Sequence, residues 1–328
     1  MDLVSDVIAV VRTGRPSASR LQVASPRRYR FDRYDGAGFH MLLRGSGWLI
    51  PDGGSPVALS TGDLVFVPHG SPHVLSDRPS AEGAVPFEAA VGDPAGTVEF
   101  LCGKYRLDRS LTHPLLAGLP DVVHLPAQVG RASELRAVVD LLGAEVHEAG
   151  PGHEAVVTSL LDLLLVYLLR ASLAADPGVG WPRALRDEPV AAALNALHAD
   201  PARPWRIEQL AGRVGLSRAT LARRFARLVG QPPMAYLTWW RMTLAARLLR
   251  DTELPVSAVA ARVGYATPFA FGHVFKRHTG LPPGRYRSRA RPAAADPPPD
   301  TDALAEAVPA EAADPPAEAV PASPGSLS

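Results

Sequence analysis

The chain has 328 residues, of which 47% are hydrophobic and 20% charged, and its net charge is +1; that size and make-up predict two domains of ordinary globular composition. The single cysteine, Cys102, excludes an internal disulfide framework and points to a reducing, cytoplasmic setting. Residues 1–11 lack the basic flank and cleavage site of a signal peptide. The near-neutral total hides a segregation. Residues 181–291 hold 19 Lys+Arg against 6 Asp+Glu, whereas residues 292–328 hold 7 acids and no base. Such asymmetry fits a polyanionic partner for the basic block, although a solvated basic face gives the same count.

Residues 20–125 read as β. Short apolar runs at 39–43, 48–50, 57–59, 64–68 and 98–102 are separated by Gly, Pro, Asp and Ser, the pattern of many short strands in a barrel or sandwich. Residues 131–174 read as two helices about the breaker Gly150-Pro151-Gly152. The first aligns Leu135, Val138, Val139, Leu142 and Val146 on one stripe. The second is apolar nearly all round over 160–169, which demands burial on every side, yet that run is too short to span a bilayer. Either its own chain covers it, or one side meets the barrel and another a second copy, with Leu164 and Leu168 at the shared surface. Residues 176–180 read as a linker and 181–291 as helical. Residues 292–328, made largely of Pro, Ala, Asp and Glu, read as a disordered tail.

The basic block repeats itself. Leu210-Ala211, Val214-Gly215-Leu216, Leu221, Phe225 and the run Gly230 to Tyr236 match Val259-Ala260, Val263-Gly264-Tyr265, Phe271, Phe275 and the run Gly280 to Tyr286. A repeat of this length is a supersecondary unit, and each copy has the marks of a helix-turn-helix. Ala211 and Ala260 allow two helices to cross closely, and Gly215 and Gly264 supply the positive φ of a tight turn. Ser217 and Thr267 are placed to cap the second helix. Apolar residues then bury one face, while Arg218, Arg223 and Arg227 occupy the opposite face of the first copy.

With those residues in hand, 181–287 resembles the AraC/XylS family of transcription regulators, most closely over the segment from Val263 to Arg287. The resemblance implies seven helices, with a long one at about 233–251 joining the two units. It also implies that both second helices enter neighbouring major-groove segments of double-stranded DNA. Carried over by position, Ala219, Ala222 and Arg223 fall where the first recognition helix reads base edges, and Pro268, Phe269 and His273 where the second does. Arginine can bond bidentately to guanine. Pro268, Phe269 and Gly272 offer no hydrogen bonds, so the second unit is expected to position the protein more than to specify sequence. Arg218, Arg224, Arg227, Lys276 and Arg277 are expected at phosphates or in surface ion pairs. Trp205, Trp239 and Trp240 are expected in the core.

The stretch Gly62 to His73 resembles the second cupin motif, with Asp77 where Asn is usual. Phe39 to Gly45 and the pair Cys102-Gly103 resemble a subgroup of cupin-containing regulators, and the likeness spans about 5–291. It implies an α+β chain. A cupin-like sensing barrel would occupy 1–130, a helical dimerisation hairpin 131–175, and an all-α tandem helix-turn-helix domain 181–291. The implied partners are DNA, a second copy, a small-molecule effector or redox signal, and RNA polymerase, with no membrane. The first cupin motif is degraded, because only His40 remains of its metal ligands. His40, His73 and Cys102 could still converge and hold a transition metal such as zinc. Alternatively, they are two hydrogen-bonded histidines and a buried thiol lining a small-molecule pocket. No catalytic residue is expected. The competing reading, a metal-dependent cupin enzyme fused to a DNA-binding module, is disfavoured by the missing ligands.

Overall fold

The structure, a computed structural model, describes residues 3–23, 28–87, 96–107, 113–127, 133–175 and 180–290. Most of the expected linker and the whole expected tail lie outside them. The first part begins with α1 (Leu3–Val11). The strands follow as β1 (Ser17–Val23), β2 (Arg28–Phe31), β3 (Gly36–Arg44), β4 (Ser46–Pro51), β5 (Val57–Ser60), β6 (Leu64–Val67), β7 (His73–Ser76), β8 (Val85–Pro86) and β9 (Val98–Arg106). The short α2 (Pro114–Ala117) and β10 (Val123–Leu125) complete it. One five-stranded sheet has the order β1-β9-β3-β6-β10, the other β5-β4-β7-β2-β8.

Each of the five apolar runs became a strand. β3 is buried from Gly36 to Leu42 and β6 along its whole length, so both faces are covered and the runs are continuous rather than alternating. Register explains the Phe-His and Cys-Gly pairs. Phe39 lies opposite Gly103 and His40 opposite Cys102. A Cβ on Gly103 would stand 2.3 Å from the Phe39 ring, so only glycine admits that ring. Asp63 anchors the neighbouring turn: its carboxylate accepts from the Ser60 and Ala127 amides and lies 3.2 Å from His124 Nε2.

Next come α3 (Ser133–His147) and α4 (His153–Ala175). On α3, Leu135, Val138, Val139 and Leu142 are buried as expected, while Val146 is only partly so. Helix α4 has 23 residues and is, by length and composition, long enough to cross a membrane. Leu161, Leu164, Leu165, Leu168 and Leu169 are instead packed in the core that also holds Leu64, Phe66 and Leu101 of the barrel. This corrects the expectation for Leu164 and Leu168: both are 0% exposed and face their own chain. The apolar residues left in solvent are Leu141 on α3 and Val156 and Leu163 on α4, at 59%, 41% and 43% exposure.

Eight helices follow, where the resemblance implied seven. They are α5 (Trp181–Arg186), α6 (Glu188–Ala199), α7 (Ile207–Arg213), α8 (Arg218–Val229), α9 (Pro233–Asp251), α10 (Val256–Arg262), α11 (Pro268–Thr279) and α12 (Pro283–Ala290). The six-residue α5 is the addition. Two hydrophobic cores divide this region. Val190, Leu194, Leu210, Leu221, Phe225, Tyr236 and Leu237 belong to the same core as α1, α4 and the barrel. Met242, Ala245, Leu249, Val259, Phe271, Phe275 and Tyr286 form another. Helix α9 therefore serves the first core with its first half and the second with its last.

Candidate functional site

The sequence repeat is a structural repeat. In the first unit the Leu216 amide donates to the Ala211 carbonyl at 3.0 Å, and in the second the Tyr265 amide donates to Ala260 at 2.9 Å. Both bonds close the turn around a left-handed glycine, Gly215 at φ +66° and Gly264 at φ +81°. The Ser217 hydroxyl accepts from the Thr220 amide and the Thr267 hydroxyl from the Ala270 amide, each at 3.2 Å, so each capping bond satisfies an otherwise orphan helix donor. Gly230 and Gly280 end α8 and α11 in the left-handed conformation. The turns differ in one respect. Gly215 has open space where a Cβ would go, but at Gly264 that atom would lie 2.5 Å from the Ala202 carbonyl oxygen.

These turns fix which face of each recognition helix is free. On α8, Leu221, Phe225, Leu228 and Val229 are buried, and Ala219, Arg223 and Arg227 are exposed with Ala222 half-buried. Arg218 is exposed and 3.2 Å from Glu208, a solvent-facing pair that is cheap to exchange for a phosphate. Arg224 takes the second of its two expected roles, an ion pair. Its Nε donates at 2.7 Å to Asp187, whose carboxylate also accepts from the Val190 amide. Arg224 is thus committed to tying α8 to the start of α6, and we remove it from the phosphate set. On α11, Phe271 and Phe275 are buried, while Pro268, Phe269, His273, Lys276 and Arg277 are exposed. Trp205 and Trp240 are buried and Trp239 is partly so.

Inside the barrel the structure brings His40, His73 and Cys102 into contact. His40 Nδ1 is 3.1 Å from Cys102 Sγ, His40 Nε2 is 2.7 Å from His73 Nε2, and His73 Nδ1 is 2.8 Å from the Ser71 carbonyl. The proton positions follow from the end of this chain. A carbonyl only accepts, so His73 carries its proton on Nδ1 and accepts at Nε2. His40 must then donate from Nε2 and accept at Nδ1, where the Cys102 thiol donates. Every group is neutral. Burial pushes the His73 imidazole down to about 4 and the Cys102 thiol up to about 12. Burial, helped by His73, also holds His40 well below its ordinary value. Phe31 covers both imidazoles, with ring centroids 4.7 and 4.9 Å away.

This set does not fit a metal. His40 spends its two nitrogens on two different partners, so the three donors form a line rather than converge on a point. Among the described residues no group of three or more His, Cys, Asp or Glu could hold a metal ion.

A second buried chain went unforeseen in the sequence. The Leu115 amide donates to His113 Nδ1 at 2.9 Å, and His113 Nε2 lies 3.1 Å from the Tyr236 hydroxyl. That hydroxyl is 2.7 Å from His198 Nε2, whose Nδ1 is 3.2 Å from Asp6. It joins α1 and the start of α2 to α6 and α9. Tyr236 is visible in the sequence as the end of the first repeat, but nothing in the spacing of Asp6, His113 and His198 signals that they meet.

Comparisons with known proteins agree with this division. A cupin family model matches residues 2–174 and a helix-turn-helix domain model residues 210–289. An AraC-like transcription regulator of Streptomyces lividans is 34% identical over 298 residues, covering 88% of this chain and 98% of that one. The HTH-type transcriptional regulator MtrA of Neisseria gonorrhoeae is 34% identical over 261 residues, covering 76% and 85%. Among solved structures, the DNA-binding domain of AdpA in complex with a target DNA is 34% identical, covers 32% of this chain and 94% of that one, and has a TM-score of 0.30. These relatives are transcription regulators rather than enzymes, which sets the enzyme alternative aside.

Proposed function

The chain belongs to the AraC family of DNA-binding transcription regulators, with an N-terminal cupin domain and a C-terminal helix-turn-helix domain, and on that premise we propose that it reads its operator chiefly through α8 and answers a signal received in the barrel. The observation that carries the reading is the free face of α8. Arg223 stands exposed there, opposite the buried Leu221 and Phe225, with small Ala219 and Ala222 beside it to let the helix sink into the major groove. A guanine edge offers the two acceptors that a guanidinium fork matches. Arg218, Arg227, Lys276 and Arg277 supply phosphate contacts, which set register without specifying sequence. His273 occupies the equivalent place on α11.

The exposed apolar residues Val156 and Leu163, with half-buried Leu160 and Tyr167, recur on one face of α4 at helical spacing. The same face on a second copy is self-complementary about a two-fold axis, so we assign the homodimer contact there, with Leu141 at its edge. The effector is a small molecule or an oxidant that breaks the chain of Cys102, His40 and His73. Cytoplasmic placement and contact with RNA polymerase follow from a regulator acting at promoters.

The experiment is a titration of Arg223→Ala and Arg227→Ala on the operator and on a scrambled duplex at two salt concentrations. Arg223→Ala is expected to lose about 1–3 kcal/mol on the operator and little on scrambled DNA. Arg227→Ala is expected to weaken both similarly and to lower the salt slope by about 1. Equal losses for Arg223→Ala on both duplexes would overturn the base-reading role.

A further inference from the structure

We propose that Phe269 is a specificity residue: the second recognition helix selects a thymine by packing the Phe269 ring against its C5-methyl group. The inference rests on the regulator reading above and adds to it what the second unit reads. Phe269 is 89% exposed, against 59% for the next most exposed large apolar side chain among the described residues. It follows the capping Thr267 and Pro268 in the first turn of α11, the turn that meets base edges when such a helix enters the major groove. The helix is anchored from behind by fully buried Phe271 and Phe275, so Phe269 is held outward rather than folded back.

The internal repeat sharpens the point. After the turn glycine the two units align at an offset of 50 residues, which pairs Phe269 with Ala219 and His273 with Arg223. In the first unit a small residue clears the way for a long hydrogen-bonding one. In the second unit the long polar residue is shortened to histidine and the small one is replaced by a large ring. Gly272, with nothing within 4 Å of where its Cβ would be, opens the surface between Phe269 and His273 for close approach. At its first turn, where Pro268 and Phe269 stand, this face offers no side-chain donor to the hydrogen-bonding edge of guanine, whereas the methyl of thymine is the one apolar group on the major-groove edge of a base pair. An aromatic ring covers it at little rotamer cost.

The test uses the full chain and the operator duplex selected by the wild-type protein. Each thymine in the half contacted by the second unit is replaced in turn by deoxyuridine, which removes only the methyl group. The wild type is expected to bind about 3- to 5-fold more weakly at one or two adjacent positions, the worth of one buried methyl group. Phe269→Ala is expected to bind the thymine duplex more weakly by at least that factor and to treat the thymine and uracil duplexes alike. Phe269→Leu is expected to retain part of the difference. No uracil-sensitive position in this half for the wild type, or a thymine preference that survives in Phe269→Ala, overturns the proposal while leaving the regulator reading intact. A wild-type protein that binds no genomic sequence above scrambled DNA overturns that reading, and this proposal with it.

Discussion

The Tyr236 hydroxyl on α9 donates its proton to His198 Nε2 on α6 across 2.7 Å. The direction of this bond is forced from both ends. His113 Nδ1 already accepts from the Leu115 amide, so its Nε2 is the protonated nitrogen and donates to Tyr236. The Asp6 carboxylate can only accept from His198 Nδ1, which leaves Nε2 as the acceptor. One proton arrangement thus satisfies a buried line running from α2 through α9 and α6 to α1. The walls of this second line are Trp181, Trp239 and Trp240.

Tyr236→Phe keeps the ring and removes the oxygen, so the His113 donor and the His198 acceptor both lose their partner in a dry site. A loss of about 1–3 kcal/mol in unfolding free energy is expected. Urea denaturation followed by tryptophan fluorescence measures it. An unchanged midpoint would mean that the two imidazoles find water or other partners.

Acid should weaken the protein through its buried histidines. His73 and His198 are depressed by burial to about 4, and burial holds His40 and His113 well below their ordinary range, each aided by a neighbouring imidazole. In the unfolded chain these groups take up protons near 6.5, so below that pH the unfolded state binds more protons than the folded one. Stability is complete above about pH 6.5 and declines as pH falls toward 4, by roughly 3 kcal/mol for each of His73 and His198. Urea midpoints at pH 7.5, 6 and 5 should fall in that order. A flat series would show that the imidazoles take up protons in the folded protein as readily as in the unfolded chain.

The two turn glycines should differ in their tolerance. Gly215→Ala forces a side chain into the left-handed region, at a cost of about 1–2 kcal/mol. Gly264→Ala adds a collision with the Ala202 carbonyl 2.5 Å away, so it should lose clearly more and also disturb the contact between the units. Thermal unfolding of the two variants compares them directly. Equal losses would mean that the Ala202 loop yields freely.

Leu163→Glu and Leu164→Glu, neighbours in sequence, should behave oppositely. The first places a carboxylate on the solvent face of α4 and should give a monomer with nearly unchanged melting temperature. The second buries it among Leu161 and Leu168 and should lower the melting temperature sharply. Light scattering alongside calorimetry reads both. A monomeric parent would overturn the homodimer, and a dimer that survives Leu163→Glu would place the subunit contact elsewhere.

Much of this was legible in the chain. The repeat glycines, the capping Ser217 and Thr267 and the buried Leu221 and Phe225 act locally, over one turn of helix, so their spacing alone discloses the helix-turn-helix units. His40, His73 and Cys102 were legible through the resemblance of their surroundings to cupin motifs and to the Cys-Gly pair; β3 and β9 pair in one sheet and β7 lies in the other. Other features hide because they depend on distant partners. Arg224 looks like any arginine of a basic helix until Asp187 is found beside it, 37 residues earlier. Leu164 and Leu163 are indistinguishable by composition, and only the seat of α4 on the barrel decides which one faces water. Asp6 and His198 are 192 residues apart, beyond any periodicity.

The sharing of α9 between two cores bears on how such regulators can be recombined. Cutting at the composition break near residue 180 would part α6 from α1 and α5 from α4, and would sever His198 from Asp6. The cleaner seam runs through α9, between Leu237 of the first core and Met242 of the second. A chimera that grafts a foreign second unit at that seam should inherit the signal response of this chain and a new half of the operator, whereas one spliced at the linker must rebuild an interior.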